Sequence, residues 1–360
     1  AYLAADWPDE AFRAAERAVE ANQALPEAWV VLGDVLYHEG DADAARTHYR
    51  RALALDPRSY GALMGEGRCQ QDMGYLSAAA ESFQAAASAD PASAEPWLAL
   101  AAVRQALGEV DRARAALEEA RQRAPGSPAV LVAFAQLALS EGDLEEALAQ
   151  AERALAGAPD STAVLLVHAQ VSAALGRYAA ALESVQRAVR LEPENAPAYL
   201  VLGDVYRALG RHGEALAAYQ RYERLAPPSA AAQIKLGQAY QLNSQWEAAA
   251  AAYQRAASYA PTDPTPHLLL AQLRVLLGDM AGAEQSYRRA LELAPGDPGT
   301  MLGLARLLVA AGDYAGALGL LDQVLAIDPT SGQALLARGD ALLGLGEVAG
   351  AQEAYQRAAE

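Results

Sequence analysis

Small and apolar residues recur along this chain at the three-to-four-residue spacing of a helix face, and each run is closed by a glycine or a proline. Prolines stand at Pro57, Pro91, Pro125, Pro159, Pro193, Pro227, Pro261, Pro295 and Pro329, an interval of 34 residues every time, with no insertion or deletion. With Pro26 as position 1 of a unit, these prolines fall at position 32. Position 20 is then alanine throughout, from Ala45 to Ala351, and position 8 is always glycine or alanine, from Gly33 to Gly339. Position 27 is alanine except at Tyr222 and Val324. Side chains this small at fixed offsets let two helices approach closely, because larger ones would overpack the crossing.

Position 15 is glycine in every unit but one, where Ser244 replaces it, and a glycine there can take the left-handed conformation that ends a helix. Position 34 supplies the start signal: Ser59, Ser93, Ser127, Ser161, Asn195, Ser229, Asp263, Asp297 and Ser331 are all residue types that cap a helix. Pro128, Pro264 and Pro298 follow at the expected first helical position, where the missing N–H costs nothing. Each unit therefore predicts a first helix to about position 14, a glycine turn, a second helix and a proline stop. The fold class is all-α, a solenoid of antiparallel helix pairs. Residues 26–360 divide into ten units starting at 26, 60, 94, 128, 162, 196, 230, 264, 298 and 332. Residues 1–25 read as the second helix of a truncated unit, with Tyr2 at position 11, Ala11 at 20 and Ala18 at 27. A chain that begins inside one helix and stops after another reads as a piece of a longer protein, or as one with unresolved termini.

Trp29-Val30-Val31-Leu32-Gly33, then Ala45, Tyr49, Ala52 and Pro57, resembles the tetratricopeptide repeat signature. Tyr199, Leu202, Gly203, Tyr206, Gly210, Ala215, Tyr219 and Pro227 match it equally well. The resemblance covers essentially the whole chain. It implies a right-handed superhelix whose first helices line a concave groove, with positions 2, 5, 9, 12 and 13 of each unit facing it. It also implies protein or peptide partners, although one fold serves many roles.

Position 5 is apolar in every unit and position 9 is mostly polar. The central members of these ladders are the candidate groove residues: Val132 and Gln136, Leu166 and Gln170, Leu200 and Asp204, Ile234 and Gln238, Leu268 and Gln272. Glutamine offers donors and an acceptor, which can satisfy a peptide backbone without reading its sequence. An apolar ladder beside an amide ladder suits an extended segment or an amphipathic helix. In the competing reading, position 5 packs on the neighbouring unit and position 9 is only solvated. One branch of the family clamps a C-terminal carboxylate with Lys at position 5 and Asn at position 9; this chain has neither.

Several residues depart from the repeat. Tyr222, Pro227-Pro228 and Ser244 together predict a bend between the sixth and seventh units, or local repacking. Ala151 stands where most units carry a ring or leucine, and either opens a pocket or is covered by larger neighbours. Glu66 and Gln70 occupy usually apolar positions near Cys69, marking a contact site or simply hydrogen-bonding each other.

Charge and chemistry narrow the function classes. A formal net charge of −17 argues against nucleic acid, which needs a basic face to release phosphate counterions. Lys235 is the only lysine, and the Ala/Gly/Arg-rich usage fits a bacterial genome rich in G and C. The single cysteine, Cys69, can form neither an intrachain disulfide nor a thiolate metal cage. It fits the cytoplasm somewhat better than the periplasm or envelope, where long repeat arrays also lack disulfides. No stretch is apolar and long enough to predict direct membrane insertion, and no leader pattern is seen. His38, His48, His168, His212 and His267 fall at five different repeat positions, without ligand spacing, and His168 reads as a core histidine. No nucleophile, phosphate loop or cofactor motif emerges. The reading is therefore a non-enzymatic scaffold or adaptor without a cofactor. Its alternatives are a self-assembling structural protein and a regulatory or substrate-presenting arm of a larger enzyme or regulator.

Overall fold

The computed structural model describes residues 8–359, and every regular element among them is an α-helix. Two compact units divide the chain at Pro193. The first holds α1 (Pro8–Ala21), α2 (Pro26–His38), α3 (Ala42–Leu55), α4 (Tyr60–Asp72), α5 (Leu76–Ala89), α6 (Glu95–Ala106), α7 (Val110–Arg123), α8 (Pro128–Glu141), α9 (Leu144–Gly157), α10 (Thr162–Ala174) and α11 (Tyr178–Leu191). The second holds α12 (Ala196–Ala208), α13 (His212–Leu225), α14 (Ala230–Leu242), α15 (Trp246–Tyr259), α16 (Thr265–Leu276), α17 (Met280–Leu293), α18 (Pro298–Ala311), α19 (Tyr314–Ile327), α20 (Gly332–Gly344) and α21 (Val348–Ala359). Even-numbered helices are the first of each pair and odd-numbered ones the second. Tyr2 lies outside the described residues.

The glycine turns explain why the pairs fold back. Gly40, Gly74, Gly108, Gly142, Gly176, Gly210, Gly278, Gly312 and Gly346 all have φ between 71° and 86°, the left-handed region that only glycine enters without strain. Ser244 adopts the same conformation at φ 57°, at a cost of about 1–2 kcal/mol for an L-residue. Its neighbours keep the turn's hydrogen bonds, with Gln245 N donating to Tyr240 O at 2.9 Å just as Arg211 N donates to Tyr206 O at 2.9 Å. Ser244 thus preserves the turn that its side chain strains.

Helix starts follow the sequence in part. Asn195, Ser229 and Asp297 accept a backbone N–H from the first turn, whereas Ser59, Ser127, Ser161 and Ser331 stand at the cap position without that bond. Pro264 is not the first helical residue: it stands one place earlier, as the cap of α16, and the proline inside the first turn is Pro266. The second helices carry caps that the repeat pattern did not single out. Asp41, Asp143, Asp279 and Asp313, each directly after the turn glycine, accept from the N–H three residues on.

Between paired helices the small residues work as a lock. The alanines at position 20, Ala45 through Ala317, are 0–1 % exposed where the crossing is tightest. Position 8 is matched to position 24: Gly33, Gly67, Gly203, Gly237 and Gly339 each lie under a ring, of Tyr49, Phe83, Tyr219, Tyr253 and Tyr355, where an added Cβ would come within 2.3–2.7 Å. Where position 8 is alanine, position 24 is Leu117, Ala151, Val185 or Leu321. The exception is Ala271 with Tyr287, whose ring lies against Gly303 of the next first helix. Around Ala151, Val167 and Val171 share its buried cluster and Val132, Leu139, Leu148 and Leu175 pack on it, so larger neighbours cover the alanine.

The two units also share a series that runs above the 34-residue period. First helices α2, α4, α6, α8 and α10 have 13, 13, 12, 14 and 13 residues, and α12, α14, α16, α18 and α20 repeat those lengths in order. Val31–Val35 recurs as Val201–Val205, and Ala124-Pro125-Gly126 with Pro128 as Ala294-Pro295-Gly296 with Pro298. Residues 24–190 of the first unit therefore have counterparts five pairs later in the second.

Candidate partner-binding face

The ladder residues sit on the first helices, which the turns and the position 8/24 lock hold in stacked rows within each unit. Among the position-5 candidates, Val132, Leu166, Leu200, Ile234 and Leu268 are all half-buried. Val132, Leu200 and Leu268 pack one side of their side chains against buried clusters, and leave the rest accessible. Position 5 thus packs within the solenoid on one side and stays accessible on the other.

Position 9 splits by residue type. Gln136, Gln170 and Gln272 are exposed and Gln238 is half-buried, and none of the four hydrogen-bonds another described residue. Asp204 behaves differently: it accepts from the Tyr219 hydroxyl at 2.7 Å and from Lys235 Nζ at 2.6 Å. The pair recurs as Tyr49 with Asp34 at 2.8 Å and Tyr355 with Asp340 at 2.7 Å. Burial pushes the Tyr219 hydroxyl well above the usual phenol range, reinforced by its bond to Asp204, so it stays a donor at any physiological pH. For Asp34, burial raises the carboxyl and the Tyr49 bond partly offsets this. These aspartates brace the helix pair from its first-helix face, a role the sequence pattern did not assign.

In the first unit, side chains also tie consecutive first helices together. Tyr37 donates to Asp72 at 2.7 Å, Arg68 to Glu95 at 2.8 Å and Gln105 to Ser140 at 3.0 Å. In the second unit, the Lys235–Asp204 pair joins α14 to α12. Among the described residues, no such bond joins α16 to α18 or α18 to α20. There a cavity of about 520 Å³ opens between α18 and α20, lined by Arg306, Val309, Ala310, Gln333, Leu336, Ala337 and Asp340.

The irregular core residues are satisfied internally. Gln70 donates to Glu66 Oε1 at 2.8 Å, and Arg46 and Arg50 donate to the same oxygen at 3.0 and 3.1 Å. Glu66 and Gln70 are thus bonded to each other inside a buried network that ends on Ser82. His168 shares a 2.8 Å hydrogen bond with Ser184, and burial lowers its pKa and favours the neutral ring. Cys69 is fully buried, and burial pushes its thiol up to about 11. No helix among the described residues is long and apolar enough to cross a membrane.

Solved structures with this arrangement include a tetratricopeptide repeat protein from Parabacteroides merdae, 20 % identical with a TM-score of 0.54, matched over 71 % of this chain and 100 % of that one. The human IFIT1 dimer with PPP-AAAA aligns over 99 % of this chain and 87 % of its own, at 17 % identity and a TM-score of 0.64. Yeast Tom70 aligns over 99 % and 89 %, at 16 % identity and a TM-score of 0.51. At such identities the likeness is one of fold. No curated protein matches the sequence. Three family models, each described as tetratricopeptide repeat, match residues 26–59; 72–137, 105–171 and 308–360; and 166–230 and 234–298. Repeats of this kind are, in general terms, scaffolds for protein–protein interaction. Pairs of helices locked by small residues, turned by left-handed glycines and matched by these models along nearly the whole sequence make this chain a member of the tetratricopeptide repeat family.

Proposed function

We propose that the chain is a non-enzymatic scaffold that holds a peptide or helix of a partner protein on its first-helix face, within an array of ten units preceded by a partial one. The observation that carries this reading is the row of accessible apolar and amide side chains on stacked first helices. Val132 and Leu166 stand beside the unbonded Gln136 and Gln170 in the first unit, and Ile234 and Leu268 beside Gln238 and Gln272 in the second. Apolar area removed from water would supply the affinity, and the amides would satisfy the partner's polar groups. Asp204 serves the scaffold, through Tyr219 and Lys235, more than it serves a ligand.

The test is affinity capture by the native chain and by a variant with Leu166→Glu, Leu200→Glu and Ile234→Glu. A partner held by the native chain and lost by a variant of equal helicity is the expected result, since three half-buried contacts become charged. Equal capture by both would exclude this face.

A further inference from the structure

The first-helix face is not uniform, and its most apolar stretch lies in the second unit, on α16, α18 and α20. The counterpart relation between the units makes the contrast sharp. Where the first unit has Gln105, Ala106, Ser140 and Ala173, the second has Val275, Leu276, Ala310 and Leu343 on the same helical positions. Leu276, Leu336 and Leu343 are 66 %, 51 % and 53 % exposed. Leu268, Val275, Leu302 and Val309 pack side by side on one buried cluster beneath them. Isolated exposed leucines are ordinary, but exposed leucines on α16 and α20, with half-buried Leu302 and Val309 on α18 and Leu336 lining the 520 Å³ cavity between α18 and α20, make the kind of patch that another molecule covers. The bonds that stitch α2 to α4, α4 to α6 and α6 to α8 have no counterpart here, so nothing has to be broken to occupy it.

Resting on the scaffold reading above, we infer that α16, α18 and α20 hold an amphipathic α-helix of a partner protein, whose apolar stripe covers Leu276, Leu336 and Leu343 and carries an acidic residue toward Arg306. A helix is favoured over an extended segment because its backbone is already satisfied. An unpaired strand would need an acceptor or donor for each peptide group, and this stretch offers mainly Gln272, Gln333, Arg306 and Asp340. Arg306 is exposed and has no ion-pair or hydrogen-bond partner among the described residues, whereas Asp340 is already held by Tyr355. A carboxylate is therefore the group that adds a new pair, and the guanidinium fork donates to both its oxygens in two-point geometry. The partner helix's outer face should be basic, given the chain's net charge of −17.

The test uses the full chain and a labelled helical peptide of about 18 residues, with leucines at two-turn spacing, one glutamate beside the stripe and lysines outside. Its controls are a scrambled peptide of the same composition and one with arginine in place of the glutamate. Fluorescence anisotropy should show the striped peptide binding more tightly than either control. Leu336→Glu should weaken it by about tenfold or more, and Arg306→Glu should reverse the preference for glutamate over arginine. Equal binding of the scrambled peptide, or no binding by the native chain at about 0.1 mM, overturns the inference. So does binding that survives Leu336→Glu. In that last case, loss on Leu166→Glu would leave the scaffold reading standing and move the site to the first unit, while insensitivity to both would sink the two together.

Discussion

Gly237→Ala lowers stability by about 1–2 kcal/mol, although alanine is the better helix former by up to about 1 kcal/mol. The Cβ would stand 2.3 Å from Tyr253 Cε1 and 2.6 Å from Cδ1. The ring cannot swing aside easily, because it is fully buried and its hydroxyl donates to Gln241 at 3.0 Å. Tyr253→Leu alone also costs stability, through the lost ring contacts and hydrogen bond. Together the two substitutions recreate the alanine–leucine pairing that Ala101 with Leu117 and Ala305 with Leu321 already use. The double variant should therefore lose less than the sum of the singles, with a coupling of about 1–2 kcal/mol in urea denaturation followed by helicity. Strict additivity would mean that the position 8/24 match is incidental to packing.

The second large effect is expected at Glu66. Its side chain is only 6 % exposed, its Oε1 accepts from Arg46, Arg50 and Gln70, and its buried Oε2 has no partner in the structure. Glu66→Ala leaves two guanidinium groups and an amide facing a gap. Breaking a fully buried pair costs about 3–5 kcal/mol, but Arg50 is 59 % exposed and can turn to water, so a loss of about 2–3 kcal/mol is expected. Glu66→Leu with Gln70→Leu installs the leucines that other units carry at these positions, as at Leu32 with Leu36 and Leu304 with Leu308. That double variant should recover at least half of the loss, since well-packed apolar residues commonly replace a buried ion pair without penalty. Thermal denaturation of the three proteins checks this. A double variant as unstable as Glu66→Ala would show that the network, and not merely its burial, holds α3 against α4.

The helix pairs were legible because their signals are local and recur: a residue that must tolerate positive φ, an alanine at the tightest crossing, a proline that cannot continue a helix. Ser244 shows how far that logic reaches. The chain keeps the turn there and accepts the strain. Capping was legible only in part, because serine at position 34 has water as an alternative partner, whereas the aspartates after the turn glycines bind their N–H groups. The Gly-Asp dipeptides were visible in the sequence as a signal for them. The five-pair series was present too, but a position-by-position consensus averages away differences of one residue in helix length.

The candidate face was less legible. That Asp204 is occupied by Tyr219 and Lys235 depends on side chains that meet fifteen and thirty-one residues apart. The co-occurrence of aspartate at position 9 with tyrosine at position 24, in the pairs Asp34–Tyr49, Asp204–Tyr219 and Asp340–Tyr355, was the available clue. The ties from Tyr37 to Asp72 and from Gln105 to Ser140 join residues of unlike repeat positions, so no single column of the repeat reveals them. Where such ties are missing, on α16, α18 and α20, the exposed leucines become meaningful only once the helices are stacked.

Hydrogen exchange of the full chain, with and without a captured partner bound, tests the central claim most directly. Slowed exchange at the amides of the first helices, with the second helices little changed, is the result expected of a partner held on their face. Protection confined to second helices such as α9, α15 and α17, with the first helices unaffected, would contradict it.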